Sequence, residues 1–154
     1  MEMPWSPMSL LLAVGLLACT TPGEDRLARL TLTTGAPLIA AGPATSIRVA
    51  ILVDPATCLS CDEDLNRWMN ALRAGVSNVS LAFDRPPTQS ERKLLTLARI
   101  PAAVVLSAPS GLPLPRIVIA EPGGAIRSIA LAKSGDFLKR VGAASSPDSA
   151  SRVR

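Results

Sequence analysis

The chain has 154 residues, a formal charge of +4 and 48% apolar residues, enough for one domain with a real core. Aromatic residues make up only 3%, so the core has to be built from Leu, Val, Ile and Ala; histidine is absent, which excludes Ser-His-Asp and Cys-His catalysis and any His-ligated metal site. The basic residues are mostly Arg, scattered and without aromatic partners at stacking spacing, so they read as a solvated surface and not as a nucleic-acid footprint.

At the N-terminus, "MSLLLAVGLLACTT" carries an apolar run from Leu10 to Ala18. It is shorter than the roughly 20 residues of a membrane-spanning helix and has the length of a signal-peptide core. It ends in Leu16-Leu17-Ala18-Cys19, which resembles the bacterial lipobox, although the preceding "MEMPWSP" has no Lys or Arg and carries Glu2. An ordinary secretory signal or a buried apolar helix are the alternatives. The resemblance implies that residues 1–18 are removed, that Cys19 is lipidated and holds the protein on a membrane, and that the mature chain faces the extracytoplasmic side of a bacterial envelope. Thr20 after the cysteine, where Asp would be retained, resembles a signal for the outer membrane. In that oxidising compartment Cys58 and Cys61 are left to each other.

The polar residues from Thr20 to Arg26 read as a tether, assigned to 19–27. Apolar and polar residues alternate from Ala28 to Thr33, which predicts a first strand and a domain beginning at 28. "GAPLIAAGPATS" is loop-like. Ile47 to Asp54 is a short apolar run, as for a strand buried on both faces. Pro55 stops it. Leu65, Trp68, Met69 and Leu72 then mark one face of a helix, with Trp68 and Met69 as core residues and an end near Gly75.

Val79 to Phe83 predicts another buried strand. Thr88 and Glu91 have capping-box spacing, with Leu94, Leu97 and Ala98 expected on one face of the helix behind them. "AAVVLS" from Ala102 fits either a short strand or the packed end of that helical region. Arg116 to Ala120 and Ala125 to Leu131 form a hairpin around Glu121-Pro122-Gly123-Gly124. Ser134 is the expected N-cap of a last helix carrying Phe137, Leu138 and Val141 on one side. The domain ends at 142, and 143–154 is a small, polar tail with a disordered composition. Strand–helix–strand alternation followed by a hairpin predicts an α/β fold with a mixed sheet.

Cys58-Leu59-Ser60-Cys61 sits where a buried strand gives way to a helix. This places Cys58 at or before the first helical residue and Cys61 in the first turn, where unpaired N–H groups and the helix dipole favour a thiolate. A thiolate attacks disulfides, and two intervening residues let the second sulfur resolve the mixed disulfide. Spacing and placement therefore suit thiol–disulfide exchange. A structural disulfide and a metal site remain as alternatives, the latter needing a dimer because only two sulfurs are present.

The strand "VAILVD", the motif Cys58-Leu59-Ser60-Cys61 and "LPRIVIAEPGG" downstream resemble the thioredoxin superfamily over roughly residues 28–142. "DPATCLSC" is similar to its membrane-linked branch near methylamine-dehydrogenase maturation proteins. The resemblance implies a three-layer sandwich, a mixed central sheet flanked by helices. It implies Cys58 as the exposed nucleophile, Cys61 as the more buried resolving thiol, and a Cys58–Cys61 disulfide in the oxidised state. Pro115 corresponds to the family's cis-proline, with Pro101 as its rival; the full hairpin and terminal helix that follow favour Pro115.

Thr57 stands where the family has Trp, and Leu52 where it has a buried acid. Asp54 could substitute for that acid if its side chain turned toward Cys61. Asp62, Glu63 and Asp64 suit a helix start but oppose a thiolate; capping and a partner-docking patch are their two readings. The expected function is a lipid-anchored thiol–disulfide oxidoreductase. It would act on protein thiols or disulfides, exchange electrons with a redox partner protein and need no bound cofactor. The alternative is a non-catalytic lipoprotein whose domain binds a partner and whose disulfide is structural.

Overall fold

The computed structural model describes residues 26–39, 46–60 and 62–144. The strands are β1 (Arg48–Val53), β2 (Val79–Phe83), β3 (Ala103–Val105), β4 (Arg116–Ala120) and β5 (Ile126–Ala130), and the helices are α1 (Glu63–Arg73), α2 (Gln89–Leu97) and α3 (Gly135–Ala144). They form one mixed sheet in the order β3-β2-β1-β4-β5. β1 runs parallel to β2, with Val49 opposite Val79 and Val53 opposite Phe83. It runs antiparallel to β4, with Arg48 opposite Ala120 and Leu52 opposite Arg116.

The central place of β1 explains its unbroken apolar run. Val49, Ile51 and Val53 enter one core together with Leu81, Phe83, Ile117 and Ile119, under Leu65, Trp68 and Met69 of α1, Leu95 of α2 and Val141 of α3. Ala50 and Leu52 point the other way, with Ala82, Val118 and Ala120, and are covered by Leu27, Leu38, Ile39 and Leu106. Successive strand residues alternate faces, so burial on both sides needs apolar residues at every position. The result is the expected α/β layering around a mixed sheet. Among the described residues, the second covering layer is a helical turn at 26–28 and irregular chain.

α1 starts at an Asp62 cap whose Oδ1 accepts the Leu65 N–H at 2.8 Å, and Arg67 pairs with Glu63 and Asp64. These acids serve the helix start, as their capping reading requires. The helix closes at Gly75 (φ +80), with Gly75 N–H on the Leu72 carbonyl and Val76 N–H on the Ala71 carbonyl. α2 has the expected capping box: Glu91 N–H donates to Thr88 Oγ1 at 3.2 Å and Thr88 N–H donates to Glu91 Oε2 at 2.7 Å.

Several expectations are corrected. Residues 28–33 do not form a strand; Arg26–Ala28 is helical, and only isolated bridges join Thr31 to Pro37 and Leu32 to Leu106. Alternation there reflects burial of Leu27, inside the segment assigned to the tether, and partial burial of Leu30 and Leu32. The structured part therefore begins before residue 28. On α2 the buried side chain is Leu95, while Leu94 and Leu97 are 50% and 78% exposed. The capping box sets the start of the helix but not its rotation against the sheet. The 102–107 segment resolves as strand β3. Ser134 precedes α3, but its hydroxyl donates to the Leu131 carbonyl at 2.6 Å and accepts the Trp68 indole N–H at 2.7 Å. Its side chain thus satisfies a buried indole rather than capping the helix. α3 extends to Ala144, past the expected end of the domain at 142.

Candidate functional site

The site forms where β1 ends. Asp54 Oδ1 accepts the Ala56 N–H at 2.9 Å, and Pro55 supplies the preset φ between them, giving an Asx turn. A 3₁₀ turn at Thr57–Leu59 follows, with Thr57 N–H on the Asp54 carbonyl at 2.9 Å and Ser60 N–H on the Thr57 carbonyl at 3.0 Å. These two turns use up the residues after β1, so α1 begins only after the Asp62 cap. Cys58 lies in the 3₁₀ turn, ahead of the helix, and the turn packs against α2.

Cys58 has no disulfide partner among the described residues; it lies 6% exposed inside the core under the helices. The resemblance implies an exposed Cys58, and the structure buries it instead. Burial first, and the negative charge of Asp54 second, push its pKa up to about 12. Cys58 lies in its own 3₁₀ turn ahead of α1, not in the first turn of that helix. Cys61 and Cys19 lie outside the described residues, as do the Cys58–Cys61 pairing, the leader 1–18 and the tail beyond 144.

Pro115 reaches the same end of the sheet from the other side. Arg116 pairs with Leu52, so the chain before it runs alongside the residues that leave β1. The Leu114–Pro115 peptide is cis, and among the described residues it is the one cis bond, so the rival Pro101 is trans. A cleft of about 340 Å³ opens here, lined by Asp62, residues 113–116 and residues 130–132. Within it Arg116 donates from Nη2 to the Ser128 carbonyl at 3.2 Å, while its Nε is buried without a partner among the described residues.

Asp54 turns toward Arg85, which the sequence reading passed over. Arg85 Nε donates to Asp54 Oδ2 at 2.8 Å and Nη2 to Asp54 Oδ1 at 3.0 Å. The same guanidinium donates from Nη1 to Glu91 Oε2 at 2.9 Å and from Nη2 to Glu91 Oε1 at 2.7 Å. Hydrogen bonds from Arg85, and then from the Thr88 N–H, hold the Glu91 carboxyl down to about 2. Arg85 is itself held more firmly protonated by Glu91 and Asp54. No local pattern announces this arginine: it follows Asp84 in the short connection between a strand and a capping box.

No family model matches the chain, and no curated protein matches it. Among solved structures, DsbF of MTB is similar at 12% identity and TM-score 0.46, over 77% of this chain and 96% of that one. A secreted Mycobacterium tuberculosis disulfide oxidoreductase homologous to E. coli DsbE is similar at 16% identity and TM-score 0.46, over 78% and 98%. A domain of a possible thiol-disulfide isomerase from Cytophaga hutchinsonii is similar at 14% identity and TM-score 0.46, over 75% and 88%. At such scores the likeness adds nothing to what the chain's own topology shows. Among the described residues no helix is long and apolar enough to cross a membrane.

Proposed function

We propose that the chain is an extracytoplasmic thiol–disulfide oxidoreductase, lipid-anchored through Cys19, that cycles Cys58 and Cys61 between dithiol and disulfide. The observation that supports this most is the shared position of the Cys58 turn and the Leu114–Pro115 segment, on neighbouring strands at one end of the sheet beside an open cleft. That arrangement lets a cysteine-bearing strand of a partner protein lie along 113–116 with its sulfur near the motif. Pro115 would shape that surface.

In the exchange, the Cys58 thiolate attacks one sulfur of a partner disulfide and releases the other as thiolate. Cys61 then attacks Cys58 in the mixed disulfide, giving the Cys58–Cys61 disulfide and a fully reduced partner. Two electrons pass to the partner, and a dithiol redox protein restores the pair. Protonation of a buried Cys58 makes the first step slow near neutral pH.

The test is a redox titration of the protein in dithiothreitol and glutathione buffers, with thiol trapping of Cys58 and Cys61. A reversible two-electron transition between about −300 and −120 mV supports the enzyme. A pair that stays oxidised below about −300 mV, with neither sulfur accessible, overturns it.

Burial of Cys58 favours one second reading, a partner-binding domain whose disulfide is structural. Cys58→Ser separates the two. The enzyme loses exchange and keeps its fold, whereas a stapled domain loses about 2–4 kcal/mol of stability.

A further inference from the structure

Arg85 makes four hydrogen bonds to two carboxylates that belong to different elements. Asp54 closes β1 and starts the turns that carry Cys58; Glu91 closes the capping box of α2, against which the Cys58 turn packs. The planar fork of a guanidinium can make paired hydrogen bonds to two carboxylates at once; an ammonium, with three donors on one nitrogen, cannot make all four. The other charges on the surrounding elements are Asp84 beside Arg85, Arg92 and Lys93 on α2, Asp62, Glu63 and Asp64 at the start of α1 with Arg67 and Arg73 behind them, Arg48 at the start of β1 and Arg116 at the start of β4. Asp84 accepts the Ser110 N–H, and Asp62, Glu63 and Asp64 are engaged within α1. Asp54 is the charge whose field bears on the thiol.

We propose that Arg85 is a positioning residue for Cys58: it braces the cysteine-bearing turn against α2 and offsets the Asp54 carboxylate that opposes the thiolate. The inference rests on Cys58 being the reacting cysteine of the proposed exchange. Without Arg85, Asp54 would act on the thiol uncompensated. Without Glu91, Arg85 would still cover Asp54, so only the brace would weaken.

The experiment uses the full chain carrying Cys19→Ser and Cys61→Ser, so that Cys58 is the lone thiol. The rate of Cys58 alkylation by iodoacetamide is followed against pH at low ionic strength, with the melting temperature beside it. Arg85→Gln is expected to slow alkylation about tenfold at a given pH, equivalent to a shift of one pKa unit, and Asp54→Asn to speed it by a similar factor. Arg85→Gln placed on Asp54→Asn changes the rate no further. Glu91→Gln lowers the melting temperature and leaves the rate alone. If Arg85→Gln does not fold, Arg85→Lys keeps the charge without the fork, and its rate should fall below that of the parent.

Unchanged or faster alkylation in the Arg85 variant overturns the proposal. So does an equal effect of Glu91→Gln, or an Arg85 effect that persists when Asp54 is gone. The readout is a property of Cys58 alone. A protein that shows this pattern but has no exchange activity keeps the Arg85 assignment and loses the oxidoreductase one.

Discussion

The two faces of the sheet are built differently. Under the helices the strands present Val49, Ile51, Val53, Leu81, Phe83, Ile117 and Ile119, and Trp68, Met69 and Leu65 fill the space above them. On the opposite face Ala50, Ala82 and Ala120 alternate with Leu52 and Val118, under irregular chain carrying Leu27, Leu38, Ile39 and Leu106. Small strand side chains let a non-helical layer come close, since it has no helix radius to accommodate. Helices hold their shape by their own hydrogen bonds, so a cavity beneath them stays open; an irregular cover can settle into one. Cys58 belongs to the first face, which is why it is buried and protonated.

The helix-covered face is most sensitive at Trp68. Trp68→Ala empties a site only 1% exposed and strips Ser134 of its indole partner, so a loss of about 3–5 kcal/mol is expected in chemical unfolding. Leu106→Ala, at 2% exposure on the other face, should cost less, about 2 kcal/mol, because its cover can relax. Its signature would be faster proteolysis within 26–39 while amides of β1 stay protected from exchange. Equal losses at the two sites would show that the faces do not differ in stiffness.

A smaller effect tests a helix end under the first face. α2 closes as α1 does, with Arg99 N–H on the Thr96 carbonyl and Ile100 N–H on the Leu95 carbonyl, but Arg99 occupies φ +53 where α1 has Gly75. Arg99→Gly should stabilise the protein by roughly 0.5–1 kcal/mol, read as a higher melting temperature.

The brace over Cys58 has its own pH dependence. Glu91 titrates near 2 in the folded protein and at its ordinary value when unfolded, so its contribution is present above about 4.5 and is lost as pH falls toward 2. Cys58 shifts in the opposite direction. Its contribution is present below its ordinary value of 9.0 and is lost as pH rises toward about 12. Acid and alkaline melts of Glu91→Gln and Cys58→Ser should each be flatter than the parent over the corresponding window.

How much could be read in advance depended on the range of the forces involved. The β1 run, the capping box of Thr88 and Glu91, the Leu65–Trp68–Met69 stripe and the 116–130 hairpin are local patterns, and the structure keeps all four. Alternation at 28–33 misled because partial burial beside a sheet mimics the strand pattern without a partner strand. Leu94 and Leu97 misled because the apolar residues of α2 do not all share one face, and packing chose Leu95.

By itself, then, the sequence determined β1, β2 and the hairpin strands, the start of α2, the α/β class and the adjacency of two cysteines at a strand end, because each follows from hydrogen bonding and periodicity within a few residues. Only the tertiary structure decided that Cys58 is buried, that Pro115 stands across from the end of β1, and that Arg85 joins Asp54 to Glu91. These depend on contacts between residues far apart in the chain. Burial and electrostatic fields are sums over such neighbours, so no local pattern encodes them.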